Sequence, residues 1–321
     1  MQAVVYTQYG PPEVLKLQTV PIPTPKDDEV LIKVHAATVT AGDVNLRGFT
    51  FVPDDMKLLP RLAFGLRRPR QPILGTEVAG EVVAVGQAVQ RFAVGDAVFG
   101  IGSSRLGAYA EYVTRKATGA LATIPAGLSY TEAAAVPFGA STALYFLQQR
   151  ANVQPGQQVL VNGASGGVGS YAVQIAKALG AEVTAVCSTH NLDLVRGLGA
   201  DHVIDYTHED FTQRTATYDI ILDTVMGALR FADCKNALRP GGRYLAVAGG
   251  LREMLQSVWN KQVVTGTPRE DAAGMAALQA MLQTGQIKPL IDRCYPLAET
   301  AEAHRYVETR RKRGSVVINV T

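Results

Sequence analysis

The residues best suited to chemistry are Val159-Leu160-Val161-Asn162-Gly163-Ala164-Ser165-Gly166-Gly167-Val168-Gly169, an apolar strand running into a glycine-rich turn that opens a helix. Glycines at such a turn let the backbone approach a pyrophosphate, and the helix behind presents free amides and the positive end of its dipole to that anion. Ala164, Ser165, Gly166, Gly167, Val168 and Gly169 are therefore the expected cradle of a dinucleotide; a tight turn without a ligand is the alternative. The end of the second strand chooses the nucleotide, and it reads Cys187-Ser188-Thr189-His190-Asn191, with no acid before Asp193. A carboxylate there would bind the ribose diol of NAD and repel an additional phosphate. Small hydroxyls with a potential cation at His190 suit the 2′-phosphate of NADP, so NADPH is the expected cofactor.

These residues need an α/β frame. From Ser129 onward, apolar strands alternate with helices: strand 158–162, helix 170–179, strand 183–187, helix 192–198, strands 202–205 and 219–225, helix 229–238, and strands 244–248 and 262–265. That alternation implies a doubly wound parallel sheet covered on both faces. Ahead of it, residues 1–125 show short apolar runs such as Glu29 to Val34 and Gly80 to Val85, broken by turns such as Val94-Gly95-Asp96 and with few helical periods, which reads as a compact all-β unit. Beyond Thr267 two helices, 272–284 and 298–310, precede a last strand, 315–320.

Composition narrows the class. The chain has 321 residues, 47% of them apolar and 18% charged, which suits a large buried core and excludes a disordered protein. Three cysteines, Cys187, Cys234 and Cys294, form no disulfide framework and cannot fill a four-cysteine zinc lobe, pointing to a reducing, cytoplasmic setting. The amino terminus has no secretory features, and the uncharged stretch Ala151 to Ala176 is too broken by Asn, Gln, Pro and Gly to span a membrane. A net charge of +3 is too mild to imply nucleic acid, and the run Arg310 to Arg313 reads first as a solvated helix end.

Taken together, Gly75-Thr76-Glu77-Val78-Ala79-Gly80, Val94-Gly95-Asp96-Ala97-Val98, Gly107-Ala108-Tyr109-Ala110-Glu111-Tyr112, Ala140-Ser141-Thr142-Ala143, the glycine loop, Leu198-Gly199-Ala200-Asp201 and Leu238-Arg239-Pro240-Gly241-Gly242 resemble the zinc-independent quinone oxidoreductase branch of the medium-chain dehydrogenase/reductase superfamily over essentially the whole chain. The resemblance implies a GroES-like β-barrel substrate domain over 1–125, completed by 267–321, a Rossmann NADP-binding domain over 126–266, and an active site in the cleft between them. It implies no metal, because the positions that hold catalytic zinc in relatives carry Thr40, Thr76 and Phe138 here. Without that Lewis acid, the implied reaction is hydride transfer to a quinone or an α,β-unsaturated carbonyl, where delocalisation stabilises the enolate. A zinc-free carbonyl or alcohol oxidoreductase and a non-catalytic NADPH-binding or redox-sensing protein stay open.

The same resemblance nominates polar residues for the cleft. Thr142 matches a nicotinamide contact, Asp43 and Arg47 match a first-domain pattern in which Thr40 and Asn45 depart, and Tyr109 is a candidate hydrogen-bond donor or a barrel residue. Asp43 and Arg47 are alternatively a structural ion pair. Tyr206 matches a 2′-phosphate contact, Asn191 stands where relatives carry lysine, and Ala248 closes the fifth strand beside the cofactor. A homodimer pairing through Gln262 to Thr265 is implied too. The segment 49–72, with Phe51, Met56, Leu58, Leu59, Leu62, Phe64 and Leu66 among Arg61, Arg67, Arg68 and Arg70, suits a buried helix, a lid over an apolar substrate, or a membrane-surface contact.

Overall fold

The structure, a computed structural model, describes residues 1–50, 61–62, 64–66, 68–102, 105–227 and 229–321. Its strands are β1 Gln2–Val5, β2 Lys16–Thr19, β3 Glu29–Thr38, β4 Glu77–Val85, β5 Ala97–Ile101, β6 Tyr112–Lys116, β7 Leu121–Thr123, β8 Gln158–Asn162, β9 Glu182–Cys187, β10 His202–Asp205, β11 Tyr218–Asp223, β12 Leu238–Ala246, β13 Val263–Val264, β14 Ile291–Pro296 and β15 Ser315–Asn319. The helices used below are α1 Ala41–Gly48, α2 Tyr130–Ala134, α3 Pro137–Leu144, α4 Gly169–Ala178, α5 Leu192–Gly197, α6 Phe231–Cys234, α7 Leu251–Trp259, α8 Ala272–Gln283 and α9 Thr300–Glu308. Two compact units form. One holds Met1–Phe138, Glu270–Gln283 and Pro289–Thr321; the other holds Gly139–Arg269 and Thr284–Lys288.

In the first unit, strands run in the order β14-β15-β3-β4-β5-β7, with β6 also paired to β3. Alternation puts Val30, Ile32 and Val34 of β3 inside, against Val78 and Val82 of β4, Val98 of β5 and Val316 and Ile318 of β15. The last strand reaches this sheet because β15 pairs antiparallel with β3, Val317 opposite Thr38. Few helical periods are visible in this half of the sequence, yet α1 forms. Thr40 and Asp43 close a capping box over its first turn, each satisfying an amide the helix leaves open. The same device, Ser129 with Glu132, starts α2.

The second unit is a parallel sheet in the order β10-β9-β8-β11-β12-β13. Counted from β8 this is the 3-2-1-4-5-6 order of a doubly wound dinucleotide fold, with its topological switch between β8 and β11. The central strands are apolar on both faces, as in Val159-Leu160-Val161 and Ile220-Ile221-Leu222, all at 2% exposure or less, because helices cover both sides. The expected helix over 229–238 is only the short α6, and β12 begins at Leu238 rather than Tyr244. Pairing of Leu238 with Tyr218 extends the strand backwards through Pro240-Gly241-Gly242, a stretch whose composition reads as a turn.

Of the segment 49–72, Phe51, Met56, Leu58, Leu59 and Arg67 lie outside the described residues. Leu62, Phe64 and Leu66 are 53%, 43% and 50% exposed, so the described part is not a buried helix. Arg61 lies over the rings of Tyr9 and Phe49, at 5.2 and 5.0 Å, which holds this stretch to the barrel.

Candidate cofactor and active site

The glycine loop leaves β8 at the switch point and enters α4. Gly163 has φ +77°, and a Cβ there would lie 2.6 Å from Val225 Cγ2, so conformation and space both demand glycine. The Gly163 and Ala164 amides donate to Val186 O of β9 at 3.1 and 3.0 Å, which ties the start of the turn to the neighbouring strand. Gly169 sits so close to the turn that a Cβ would be 2.2 Å from Gly163 O. Val168, at the N-cap of α4, carries no acceptor side chain, so no side chain caps the helix; the Ser170 amide donates to Gly166 O at 3.0 Å, and the positive end of the helix dipole is left for an anion. Ser165, Gly166 and Gly167 complete the turn, and the loop fits the pyrophosphate of a dinucleotide.

At the end of β9, Asn191 bridges loop and strand. Its Nδ2 donates to Ser165 Oγ at 3.1 Å and to Ser188 Oγ at 3.2 Å, while its buried Oδ1 has no hydrogen-bond partner among the described residues. A buried amide oxygen without a partner carries a cost that a bound hydroxyl would relieve. His190 is exposed in the turn Thr189–Asn191, and Tyr206 is 62% exposed with its amide donating to Cys187 O. An acid does stand near the end of the second strand, but it comes from the third. Asp205 of β10 pairs in register with Cys187 and accepts hydrogen bonds from Thr189 Oγ1, Thr207 and His208. Hydrogen bonds from Thr189 and then Thr207 hold its carboxyl well below the usual range. A search along β9 alone misses it; pairing across the sheet supplies it. Cys187 is 2% exposed and burial pushes its thiol up to about 11, which disfavours the thiolate.

On the other side of the switch point, Gly139 of α3 faces the loop: a Cβ there would be 2.2 Å from Gly167 O. Thr142 lies three residues on, on the same face of α3, and is buried. Ala248 follows the end of β12, half-buried, with Val247 N donating to Asp223 O. Asp223, at the end of β11, was not singled out in the sequence. Burial raises its pKa, and it accepts from Asn162 Nδ2 and Tyr244 Oη, both at 2.9 Å, locking three strand ends together.

Asp43, Asn45 and Tyr109 belong to the first unit. Asp43 is 1% exposed and accepts from the Thr40 amide at 2.9 Å, from Thr40 Oγ1 and from the Gly75 amide at 3.2 Å; burial nonetheless pushes its pKa up to about 6. No Asp43–Arg47 ion pair forms. Asp43 is turned back to the N-terminus of α1, while the Arg47 guanidinium reaches Gly10 O, the His304 ring and the Glu308 carboxylate. Asn45 accepts from Thr50 at the far end of α1. Tyr109 is fully buried, its hydroxyl donating to Thr38 O at 3.2 Å with His304 Nε2 3.3 Å away, so it is a core residue whose hydroxyl is already engaged.

At the three matched zinc positions, Thr40 caps α1, the buried Thr76 hydroxyl has no partner among the described residues, and the Phe138 amide donates to Glu77 at 2.6 Å. Glu77 is the group sequence reasoning passed over. It is 2% exposed, also accepts from Thr38 Oγ1, and is pushed up to about 7 by burial. The only hint in the sequence is a carboxylate embedded in a β-strand pattern. Among the described residues, no group of three His, Cys, Asp or Glu side chains is arranged to hold a metal ion.

A parallel sheet in dinucleotide order joined in one chain to a β-barrel unit defines a nucleotide-dependent oxidoreductase. Residues 26–126 match the model of the alcohol dehydrogenase GroES-like domain, and residues 198–318 match that of the zinc-binding dehydrogenases. The chain is 33% identical over 335 residues to a chloroplastic quinone-oxidoreductase homolog of Spinacia oleracea, covering 99% of this chain and 98% of that one. It is also 33% identical to the NADPH-dependent alkenal/one oxidoreductase, chloroplastic, of Arabidopsis thaliana, over 99% of this chain and 79% of the relative. The solved quinone oxidoreductase of Coxiella burnetii superposes with a TM-score of 0.88 at 29% identity, covering 100% of this chain and 99% of that one. The protein belongs to the quinone oxidoreductase family of the medium-chain dehydrogenase/reductase superfamily.

Proposed function

We propose that this protein is an NADPH-dependent, zinc-independent reductase of quinones or α,β-unsaturated carbonyl compounds. The observation that carries the reading is the uncapped N-terminus of α4 at the switch point, joined through Ser165 and Asn191 to the end of β9. NADPH bound there would supply the hydride that conjugate reduction needs. The residues Ala164 to Gly169 hold the pyrophosphate. Ser188, Thr189, His190, Asn191 and Tyr206 surround the 2′-phosphate, and Thr142 and Ala248 border the nicotinamide. Asp205 opposes an extra phosphate, but its charge is occupied by the Thr189, Thr207 and His208 donors. Threonine and phenylalanine at the zinc positions offer no ligand set, so the acceptor has to delocalise charge itself, and solvent can protonate the resulting enolate carbon.

The test is a cofactor titration followed by turnover. NADPH should bind more tightly than NADH. Its oxidation by a panel of quinones, alkenals and simple aldehydes should give hydroquinones or saturated carbonyls, unaffected by a chelator. Binding without turnover of any acceptor would remove the enzymatic reading, and alcohols as the products from alkenals would favour direct carbonyl reduction.

A homodimer is part of this proposal. The sheet ends on β13, narrower than the expected 262–265, and α7 packs beside it with Val258 77% and Trp259 72% exposed. An open sheet edge flanked by that much apolar surface suits a second copy of the chain. Light scattering should return about twice 34.2 kDa. No described helix is long and apolar enough to cross a membrane, and all three cysteines are unpaired; a cytoplasmic location is the companion proposal.

A further inference from the structure

Arg115 is a buried cation with one edge unpartnered among the described residues. It lies on β6 opposite Val30 of β3, and the residue is 6% exposed. Its Nη1 donates to Thr114 O at 3.1 Å and, more weakly, to Leu106 O at 3.4 Å, which holds the guanidinium in place. Nε and Nη2 have no hydrogen-bond partner among the described residues. These two nitrogens form one edge of the guanidinium, the edge whose parallel N–H groups match the two oxygens of a carboxylate. Gly102 lies beside it, where a Cβ would stand 3.1 Å from Nε.

No neighbouring charge among the described residues is hydrogen-bonded to these two nitrogens. Arg105 is ion-paired with the buried Glu29, and Lys116 with Asp28 at 3.4 Å. Arg105 repels Arg115, and Glu270 attracts it without a hydrogen bond to either free nitrogen. A guanidinium stays charged at every physiological pH, so a buried one with two unmet donors carries a cost that an oxyanion would remove.

We propose that the Nε/Nη2 edge of Arg115 is a binding site for the carboxylate of a small molecule. A single guanidinium calls for a monoanion at most; a phosphate dianion would add surplus negative charge close to Glu29. The site stands on the barrel unit alone and does not depend on the nicotinamide reading.

Thermal unfolding of the intact protein in acetate, propionate, inorganic phosphate and chloride, at matched ionic strength, tests it. Acetate and propionate should raise Tm by about 2 °C or more over chloride. Arg115→Met should abolish the shift while unfolding at or above the wild-type temperature in chloride, since an unpaired buried charge is removed. Arg115→Lys keeps the charge but loses the fork and should bind either carboxylate about tenfold more weakly. It decides the matter should the methionine variant not fold. No shift with either carboxylate, a shift with phosphate alone, or an equal shift in the Arg115 variants would overturn the proposal.

Discussion

Gly169→Ala is expected to abolish NADPH binding and to lower stability by roughly 3 kcal/mol. The added Cβ would lie 2.2 Å from Gly163 O and 2.8 Å from Ala164 Cα, both backbone atoms, so no flexible side chain can yield. The turn cannot rotate away either, because Gly163 is held at φ +77° and its amide is bonded to Val186 O. The strain must instead push α4 off the turn, taking the helix amides away from the pyrophosphate. Gly166→Ala is the control for stability: its nearest neighbour within the protein is Gly163 O at 3.3 Å, so a small shift accommodates it. Urea unfolding and NADPH fluorescence titration of both variants check the result, and wild-type affinity in Gly169→Ala would refute the steric account.

The second large effect is a pH dependence carried by Glu77. Its pKa is about 7 in the folded protein against 4.5 unfolded, because burial disfavours the ionised form. As pH falls from 8 to 5 the folded carboxyl takes up a proton while the unfolded one stays ionised, so stability rises on acidification and the contribution is absent above the folded pKa. A displacement of this size corresponds to about 3 kcal/mol. Glu77→Gln keeps an acceptor for the Phe138 amide and leaves Thr38 Oγ1 free to accept, but it cannot titrate. Stability of the wild type minus that of the variant should therefore climb by about 3 kcal/mol between pH 8 and 5. The subtraction removes the opposing titration of His304, which burial drives down to about 3. Parallel profiles for the two proteins would show that Glu77 is ionised throughout.

Glu77 and Asp43 show where sequence reading stops. Both stand in short patterns that read as a strand and a loop, and nothing local reveals that each is buried against backbone amides from distant chain positions, Phe138 for one and Gly75 for the other. Arg47 is similar. Four residues from Asp43, it has the spacing of a helical ion pair, yet it turns to Glu308, 261 positions along the chain.

The sequence by itself determined the family, the strand-glycine-helix junction at 159–169 and the run of parallel strands behind it, because these depend on local periodicity and on residues whose backbone freedom no other side chain has. The tertiary structure decided which polar groups are spent and which are available. Tyr109 and Cys187 became core residues, Asp205 arrived beside Thr189 by strand pairing, and Arg115 kept two nitrogens without a partner among the described residues. Burial and hydrogen-bond partnership are set by contacts far apart in the chain, and those contacts, more than residue type, fix the charge and reactivity of each group.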